Sequence, residues 1–414
     1  MDIDSGATAW VLTSSALVLF MTPGLAFFYG GMVRSKNVLG MLMQNVFSMG
    51  VVSVLWVAVG FSLAFGDGGS LIGDLSLAGL GDLGREGFTL PGYVDDLALT
   101  IPPVAFAIFQ MMFAVITPAL ITGAVADRMR FAAYAVFIAA WSLLVYAPVA
   151  HWVFSPTGWL FALGALDFAG GAVVHINAGA AALVLCLVLG RRKGWPATPM
   201  PPHNLPFTVL GTGILWFGWF GFNAGSALGA NGLAAQAFLN TNTAAAAGML
   251  GWLVVERVRT GHATTLGAAS GAVAGLVAIT PCAGFVGGTS AIAIGAVASG
   301  LCFLAISLKT KLGYDDSLDV VGVHLVGGLV GSLLLGVFAD TSVNSAAADG
   351  LLFGGGATLL GKQVVASVVT FAYSAVVTLV LAKLIDLTIG LRVSGEDEDR
   401  GLDVSQHAEV AYNM

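Results

Sequence analysis

The sequence contains very little charge. Only 9% of its 414 residues are Asp, Glu, Lys or Arg, whereas 57% are hydrophobic, and the mean hydropathy is +0.90. Almost no segment of such a chain stays soluble by itself, so we predict an all-α polytopic membrane protein. We expect a transmembrane domain over residues 1–390 and a short tail over residues 391–414, and we expect no nucleic-acid partner.

Cysteine is also scarce. The three cysteines, Cys186, Cys282 and Cys302, lie in apolar surroundings without CxxC or CxxH spacing. This argues against a disulfide framework or a cysteine metal knuckle, and we expect these residues to pack as small apolar side chains. The N-terminus carries Asp2 and Asp4 and no basic stretch, so we predict no signal peptide and a first apolar run that spans the membrane.

Long apolar runs dominate the rest of the chain. A membrane helix needs roughly 20 mainly apolar residues. We predict eleven such helices, at about 8 to 31, 39 to 65, 101 to 125, 131 to 150, 168 to 190, 206 to 229, 236 to 256, 263 to 280, 284 to 308, 319 to 338 and 361 to 390.

The basic residues predict the orientation of these helices. With eleven spans, only Arg85 and Lys362 fall on one side of the membrane. The other side receives Arg34, Lys36, Arg128, Arg130, Arg191 to Lys193, Arg257, Arg259, Lys309, Lys311, Lys383, Arg392 and Arg400. By the positive-inside rule, that side is cytoplasmic, with the N-terminus outside and the C-terminus inside a cell membrane.

The predicted external connection from Gly66 to Leu97 is acidic. It contains Asp67, Asp74, Asp82, Glu86, Asp95 and Asp96. These carboxylates either raise the local cation concentration or simply solvate the loop, and a charge run is more often the latter.

Two histidines lie deep inside matched apolar runs. His175 follows Asp167 in span five, and His324 follows Asp319 in span ten. Spans one to five and six to ten form two halves with an odd number of helices, so we predict two inverted five-helix repeats plus one accessory helix. Ionisable residues at membrane depth usually face a cavity or a pathway, which predicts a route lined by both imidazoles.

Aromatic residues recur at helical spacing in two other spans. Trp219, Phe222 and Ser226 share one face of span six, and Phe109 and Phe113 form a pair in span three. Aromatic rings attract cations, and a serine hydroxyl accepts a hydrogen bond from an ammonium group. Taken alone, such rings are more often core residues than a cation cage.

Seven longer segments make the interpretation more specific. They are Pro23–Gly31, Arg34–Leu39, Ala126–Phe131, Gly164–Gly171, His203–Pro206, Gly218–Ser226 and Gly322–His324. Together the segments resemble the prokaryotic Amt branch of the ammonium transporter (Amt/Mep/Rh) family, and the resemblance covers nearly the whole chain. Long ordered motifs of this kind are far more specific than a lone short pattern.

The resemblance implies a homotrimer whose subunits each contain eleven spans and one narrow pore for ammonium, ammonia and the analogue methylammonium. Positions matching Phe113, Phe222 and Ser226 recruit the cation outside, with Asp167 nearby. Phe113 and Phe222 match the stacked gate, with Phe109 and Trp219 lining the pore and His175 and His324 matching the twin histidines. No cofactor, metal or enzymatic activity is implied.

Three positions differ from the family pattern or have a second interpretation. Phe154 occupies the place of a tryptophan that usually completes the external site, and either the site is weaker here or Trp159 substitutes. Asp167 is predicted to cap the start of span five as well as to support cation binding. Asp319 is predicted to cap span ten in the same way.

The tail resembles the cytoplasmic region that, in relatives, packs under the trimer and helps a PII-type regulator block the pore. Its charge alone is also compatible with disorder. Three other functions remain as alternatives: an ammonium sensor of the same fold, a channel for a neutral solute, and an intramembrane metalloenzyme using both histidines. The sequence leaves open whether a proton accompanies the ammonia.

Overall fold

The computed structural model describes residues 3–85 and 87–412, and it does not describe the side chain of Asp96. Glu86 and the Asp96 carboxylate of the predicted acidic connection therefore lie outside the described residues. The same is true of residues 1–2 of the predicted transmembrane domain and residues 413–414 of the predicted tail.

The described residues form helices and no strand; their only bridge is an isolated antiparallel one between Met129 and Arg392. Ten helices of the described residues are long and apolar enough to cross a membrane. One further apolar helix, which is the eighth in chain order, is shorter. We label these helices α1 (Ser5–Met32), α2 (Ser35–Phe65), α3 (Pro103–Val125), α4 (Phe131–Leu163), α5 (Gly171–Leu189), α6 (Leu205–Gly225), α7 (Gly232–Thr260), α8 (Thr265–Ile279), α9 (Gly288–Leu312), α10 (Val321–Phe338) and α11 (Thr358–Thr388).

All eleven helices lie where the hydropathy pattern predicts them, within a few residues, except at the end of α4. That helix is interrupted at residues 155–158 and continues to Leu163, beyond the predicted end at residue 150. The α8 helix has 15 residues, fewer than the roughly 20 that a full span requires. Eleven complete spans and the inverted repeat therefore stay predictions.

Helices α5 and α10 cross at very short range because glycines lie at their contact. A methyl group on Gly179 of α5 would lie 2.5 Å from the backbone nitrogen of Leu325 in α10. A methyl group on Gly328 of α10 would lie 3.0 Å from both the Gly171 carbonyl oxygen and the His175 Cβ atom. Small residues allow such backbone approach in membrane bundles, and this crossing places the two histidines side by side.

The C-terminal tail packs against the beginning of α2, and we call this end of the molecule the tail end. Two short helices, α12 (Gly395–Arg400) and α13 (Leu402–His407), form the tail. The Gly40 N–H donates to the Asp403 carboxylate at 2.8 Å, and the Leu402 N–H donates to the Asn37 side chain at 2.8 Å. The tail is thus folded onto the bundle, so the alternative of a disordered tail was wrong.

Glu398 fastens the tail to a second loop. Its side chain accepts hydrogen bonds from the Lys193 N–H at 2.6 Å and from Arg392 at 2.7 Å, and it is 3% exposed. The Lys36 ammonium donates to the Glu398 carbonyl oxygen at 2.8 Å. The tail therefore connects the start of α2 with the loop after α5.

Buried ion pairs close the same end of the bundle. Arg192 forms a bidentate pair with Asp315, at 2.8 and 2.9 Å, and lies 3.5 Å from Asp127. Burial alone would raise the pKa of Asp315, but its hydrogen bonds to the Arg192 guanidinium lower that pKa below the usual carboxyl value. Asp127 also pairs with Arg34 at 2.9 Å, so these charges are mutually compensated.

Candidate functional site

A cavity of about 230 Å³ opens at the end of the bundle opposite the tail. Because α2 crosses the bundle once from the tail end, the 66–100 connection beside this cavity lies at the opposite end. We call the cavity the vestibule. Its polar side chains are Tyr93, Gln110, Asp167 and Ser226, and its aromatic wall includes Phe109, Phe113 and Phe154.

Asp167 lies in the vestibule wall and caps the start of α5. One carboxylate oxygen accepts the N–H groups of Gly170 and Gly171 at 2.8 and 2.6 Å. The other accepts those of Ala172 and Val173 at 2.8 and 3.2 Å. The predicted capping role is therefore present. Burial raises the pKa of Asp167, although the four N–H groups oppose that shift.

Two phenylalanine rings separate the vestibule from a smaller space deeper in the bundle. The rings of Phe113 and Phe222 contact each other in a tilted arrangement, with centroids 4.3 Å apart and an interplanar angle of 36°, and both residues are 1% exposed. Phe113 lines the vestibule, whereas Phe222 lines the deeper space. Phe109 contacts Phe113 edge to face at 5.0 Å and lies on the vestibule side.

The deeper space, which we call the central void, has a volume of about 10 Å³ and contains both histidines in its wall. This volume is close to that of one water-sized probe. Trp219 also lines the void, together with apolar residues such as Leu25, Ile116 and Leu120. The vestibule and the central void are thus two cavities divided by the phenylalanine pair.

The two imidazoles are joined directly. The Nδ1 atoms of His175 and His324 lie 3.2 Å apart, and the rings are tilted by 20°. One neutral imidazole must donate from Nδ1 while the other accepts, so one Nε2 atom carries a proton and the other does not. The pair therefore offers one donor and one acceptor, whichever tautomer is present.

Each histidine is presented by a π turn at the beginning of its helix. The first turn runs over Gly171–Ile176 and contains His175, and the second runs over Val321–Leu325 and contains His324. Turns of this kind widen the backbone spiral and are frequent at functional sites. Both halves of the chain thus use the same local device.

Trp219 supports the histidine pair from α6. Its ring stacks on His175 with centroids 5.5 Å apart and an angle of 20°. Its indole N–H donates to the Thr280 hydroxyl at 2.9 Å, so the polar edge of the ring is satisfied inside the bundle.

The predicted site residues thus fall into two groups. Vestibule residues are Phe109, Phe113, Phe154, Asp167 and Ser226, and central-void residues are Trp219, His175, His324 and Phe222. Trp159 does not line the vestibule; it packs against Trp152 at 5.9 Å, so the alternative that Trp159 substitutes for the missing tryptophan was wrong.

The prediction for Asp319 was also wrong. The α10 helix is capped by Asp316, whose carboxylate accepts the Val321 N–H at 2.7 Å, while the Asp319 side chain pairs with Lys309. Asp319 has a φ of 65°, in the left-handed region that residues other than glycine adopt infrequently. Sequence reasoning chose the acidic residue immediately before the helix and therefore missed Asp316.

Gln110, which also lines the vestibule, was not selected by the sequence analysis. Its position as a lone amide between Phe109 and Phe113 in an apolar run was the available signal.

Comparison with known proteins identifies the family of this chain. The sequence model of the Ammonium Transporter Family matches residues 9–412. The chain belongs to the Ammonium Transporter Family. It is 54% identical to an ammonium transporter of Mycobacterium tuberculosis, with 99% of this chain and 91% of that protein covered. It is 52% identical to an ammonium transporter of Bacillus subtilis, with 98% of each chain covered.

Solved structures of the family share the fold. The crystal structure of Saccharomyces cerevisiae Mep2 superposes with a TM-score of 0.88 at 36% identity, covering 96% of this chain and 89% of Mep2. A structure named Sensor Amt Protein superposes with a TM-score of 0.87 at 31% identity, covering 97% and 98%. This chain is therefore an ammonium transporter family member with the Amt/Mep2 fold.

Proposed function

We propose that this ammonium transporter family member binds ammonium in the vestibule, removes its proton near Phe113 and Phe222, and conducts ammonia past His175 and His324. The main support for this proposal is the direct contact between the two imidazoles, on the side of the phenylalanine pair away from the vestibule. They are the polar groups in the wall of an otherwise apolar central void.

The vestibule fits a cation before it loses its proton. Phe113 and Phe154 offer ring faces, and Asp167 supplies a carboxylate. Ser226 donates its own proton to the Phe222 carbonyl oxygen at 2.8 Å, so its oxygen lone pairs face outward as acceptors. Cation–π contacts contribute roughly 0.5 to 2 kcal/mol each, depending on desolvation.

The central void favours the neutral species. Moving a bare cation into an apolar environment costs many kcal/mol because the water shell is lost. Ammonia avoids most of that cost, and the free Nε2 donor and acceptor of the imidazole pair replace part of its hydration. Potassium has no N–H donor and no proton to release, so deprotonation discriminates where size does not.

Removal of either imidazole tests this proposal. In proteoliposomes on a solid-supported membrane, the wild type should give a transient current with ammonium and none with potassium. His175→Ala or His324→Ala should lose that selective response, or convert it to a leak, while remaining folded. His262→Ala is the matched control, because His262 lies in the exposed connection after α7.

Two results would contradict the proposal. Unchanged methylammonium uptake in both pore variants would remove the histidines from the pathway. A silent wild type calls for a measurement of internal pH: an ammonium-dependent pH change indicates electroneutral ammonia conduction, whereas no change indicates no transport.

An ammonium sensor is the second candidate, because the chain superposes on a structure named Sensor Amt Protein. A sensor would bind ammonium without net flux. Isothermal titration calorimetry that shows binding, together with no current and no internal pH change, would favour the sensor.

We further propose a homotrimer in the cell membrane with the vestibule outside and the tail in the cytoplasm. The basic residues Arg34, Arg128 and Arg192 cluster at the tail end, as the positive-inside rule requires. Light scattering of the detergent-solubilised protein should give three times the 42.2 kDa chain mass. Protease digestion of right-side-out vesicles should spare the tail.

A PII-type protein is the proposed regulator at the tail end. The tail is folded against two loops there through Glu398 and Asp403, so it presents an ordered surface. Co-purification with a PII protein from the same source should depend on the bound nucleotide. No binding under any nucleotide condition would exclude this partner.

A further inference from the structure

Four polar side chains line the vestibule, and three of them form hydrogen bonds with other groups of the protein. The Tyr93 hydroxyl donates to the Phe154 carbonyl oxygen at 3.1 Å. Ser226 donates to the Phe222 carbonyl oxygen and keeps its lone pairs. Asp167 accepts four backbone N–H groups. Gln110 is the fourth.

The four bonds to Asp167 limit what its carboxylate can do. An ionised carboxyl group has about four acceptor positions, and here two N–H groups bind each oxygen. The carboxylate therefore attracts a cation through its charge, but it has no free position for an ammonium N–H. Direct acceptors must come from other vestibule residues.

Gln110 is a vestibule residue with an acceptor that has no hydrogen-bond partner in the described structure. The residue is 9% exposed, and its Oε1 atom is buried without any hydrogen-bond partner in the described structure. Its side chain lines the vestibule together with Asp167 and Ser226. A buried amide oxygen without a partner costs free energy, and an N–H donor of a bound ligand would remove that cost.

The amide is also free to turn. The Oε1 atom of Gln110 has no hydrogen-bond partner among the described residues, and the two orientations of a glutamine amide are assigned from hydrogen bonds rather than seen directly. A half-turn exchanges the oxygen and the nitrogen without breaking a protein contact. Gln110 lies one helical turn before Phe113, so the same face of α3 presents the amide and the first ring of the phenylalanine pair.

We infer that Gln110 is a substrate-binding residue of the vestibule, whose amide oxygen accepts an N–H of ammonium beside the Ser226 hydroxyl. This inference rests on the proposed function and adds a second neutral acceptor to it. Two acceptors and the phenylalanine rings then hold the cation, while Asp167 acts at a distance through its charge.

The test measures the ammonium concentration that gives half of the maximal transient current. Gln110→Leu removes the acceptor and keeps the approximate size, and it should raise that concentration about tenfold with little change in the maximal current. Gln110→Glu restores an acceptor and should return the half-saturating concentration to the wild-type value or below it. Met111→Leu is the matched control, since Met111 is the next residue and does not line the vestibule.

Thermal unfolding in detergent separates binding from folding. If Gln110→Leu is as stable as the wild type but has a higher half-saturating concentration, rescued by Gln110→Glu, Gln110 binds the substrate. If Gln110→Leu does not fold, Gln110→Met gives the same test with an unbranched side chain.

An unchanged half-saturating concentration in a folded Gln110→Leu or Gln110→Met protein would overturn the inference while leaving the transporter proposal intact. No ammonium response from the wild type, by current or by internal pH, would instead overturn the proposed function itself.

Discussion

His175 and His324 each follow an aspartate that caps a π turn, but the two aspartates have different surroundings. Asp167 accepts four backbone N–H groups and lies in the wall of an open cavity. Asp316 accepts the Val321 N–H, and its second oxygen is buried without a partner among the described residues.

The charges around the two capping residues differ as well. No basic side chain lines the vestibule in the described structure, whereas the tail end contains Arg192 and Lys309 close to their carboxylate partners. The same backbone device therefore has two electrostatic environments. At the vestibule the capping carboxylate has no basic side chain beside it in the described part of the cavity wall, whereas at the tail end it lies near the Lys309–Asp319 ion pair.

The largest difference between the two ends should appear when an arginine is removed. Arg192→Ala leaves the buried Asp315 carboxylate without its guanidinium partner, while Asp127 keeps Arg34, and this should cost about 3–5 kcal/mol of stability. Arg85→Ala at the vestibule end breaks the exposed pair with Asp82 and should change stability by less than about 1 kcal/mol. Thermal unfolding in detergent measures both changes in stability. Equal shifts in unfolding temperature would show that the ion pairs of the tail end do not stabilise the fold more than the exposed pair does.

The contact between the two histidine helices should be the next most sensitive feature. Gly179→Ala places a methyl group 2.5 Å from the Leu325 backbone nitrogen, so α5 and α10 must move apart. We expect a loss of about 1–3 kcal/mol and a reduced ammonium current, because the Nδ1 atoms separate.

Gly361→Ala in α11 is the control for that contact, since a methyl group there meets nothing within 4 Å. It should leave the current unchanged. Wild-type current and stability in Gly179→Ala would contradict the role of the close crossing.

A smaller, pH-dependent difference is expected from Asp316. Burial, followed by the nearby Asp319 charge, raises the pKa of Asp316 from 3.8 to about 6. A raised pKa means that the folded protein binds this proton more tightly than the unfolded chain. The resulting stability is present below about pH 4 and is lost as the pH rises through about 6.

Asp316→Asn cannot ionise, so its unfolding temperature should fall less than that of the wild type between pH 4 and pH 7. The exposed Asp67→Asn is the control and should follow the wild type. Parallel curves for Asp316→Asn and the wild type would show that the carboxyl group does not titrate in this range.

The smallest effect is expected from strengthening the vestibule. Phe154→Trp supplies a ring with a stronger attraction for cations, and it should lower the half-saturating ammonium concentration by about two- to fivefold. Trp159→Phe should have no effect, because Trp159 packs against Trp152 outside the vestibule. If Trp159→Phe changed the half-saturating concentration and Phe154→Trp did not, Trp159 rather than Phe154 would belong to the vestibule site.

Hydropathy located the helices because a membrane segment must bury its backbone polar groups in a long apolar run, which is a local property of the sequence. The end of α4 was not predicted, because the turn Ser155-Pro156-Thr157-Gly158 interrupts the helix and the chain becomes helical again at Trp159. The Trp159 backbone N–H donates to the Ser70 carbonyl oxygen of the 66–100 connection at 3.2 Å.

The candidate site was predicted unevenly, because residue types are visible in the sequence whereas contacts between helices are not. His175, His324 and the aromatic residues stood out because polar or paired aromatic residues are conspicuous in apolar helices. The capping residue of α10 was not recoverable, because Asp315, Asp316 and Asp319 are equivalent in sequence and only the φ of Asp319 and its pairing with Lys309 distinguish them.

The sequence by itself determined the membrane class, the order of the helices and the residue types of the candidate site, since apolar length and isolated polar residues are encoded locally. Only the tertiary structure decided that His175 meets His324, that Phe113 stacks on Phe222, and that Gln110 rather than Trp159 faces the vestibule. Those pairings join residues from different helices, and their geometry depends on how closely glycine lets the helices approach.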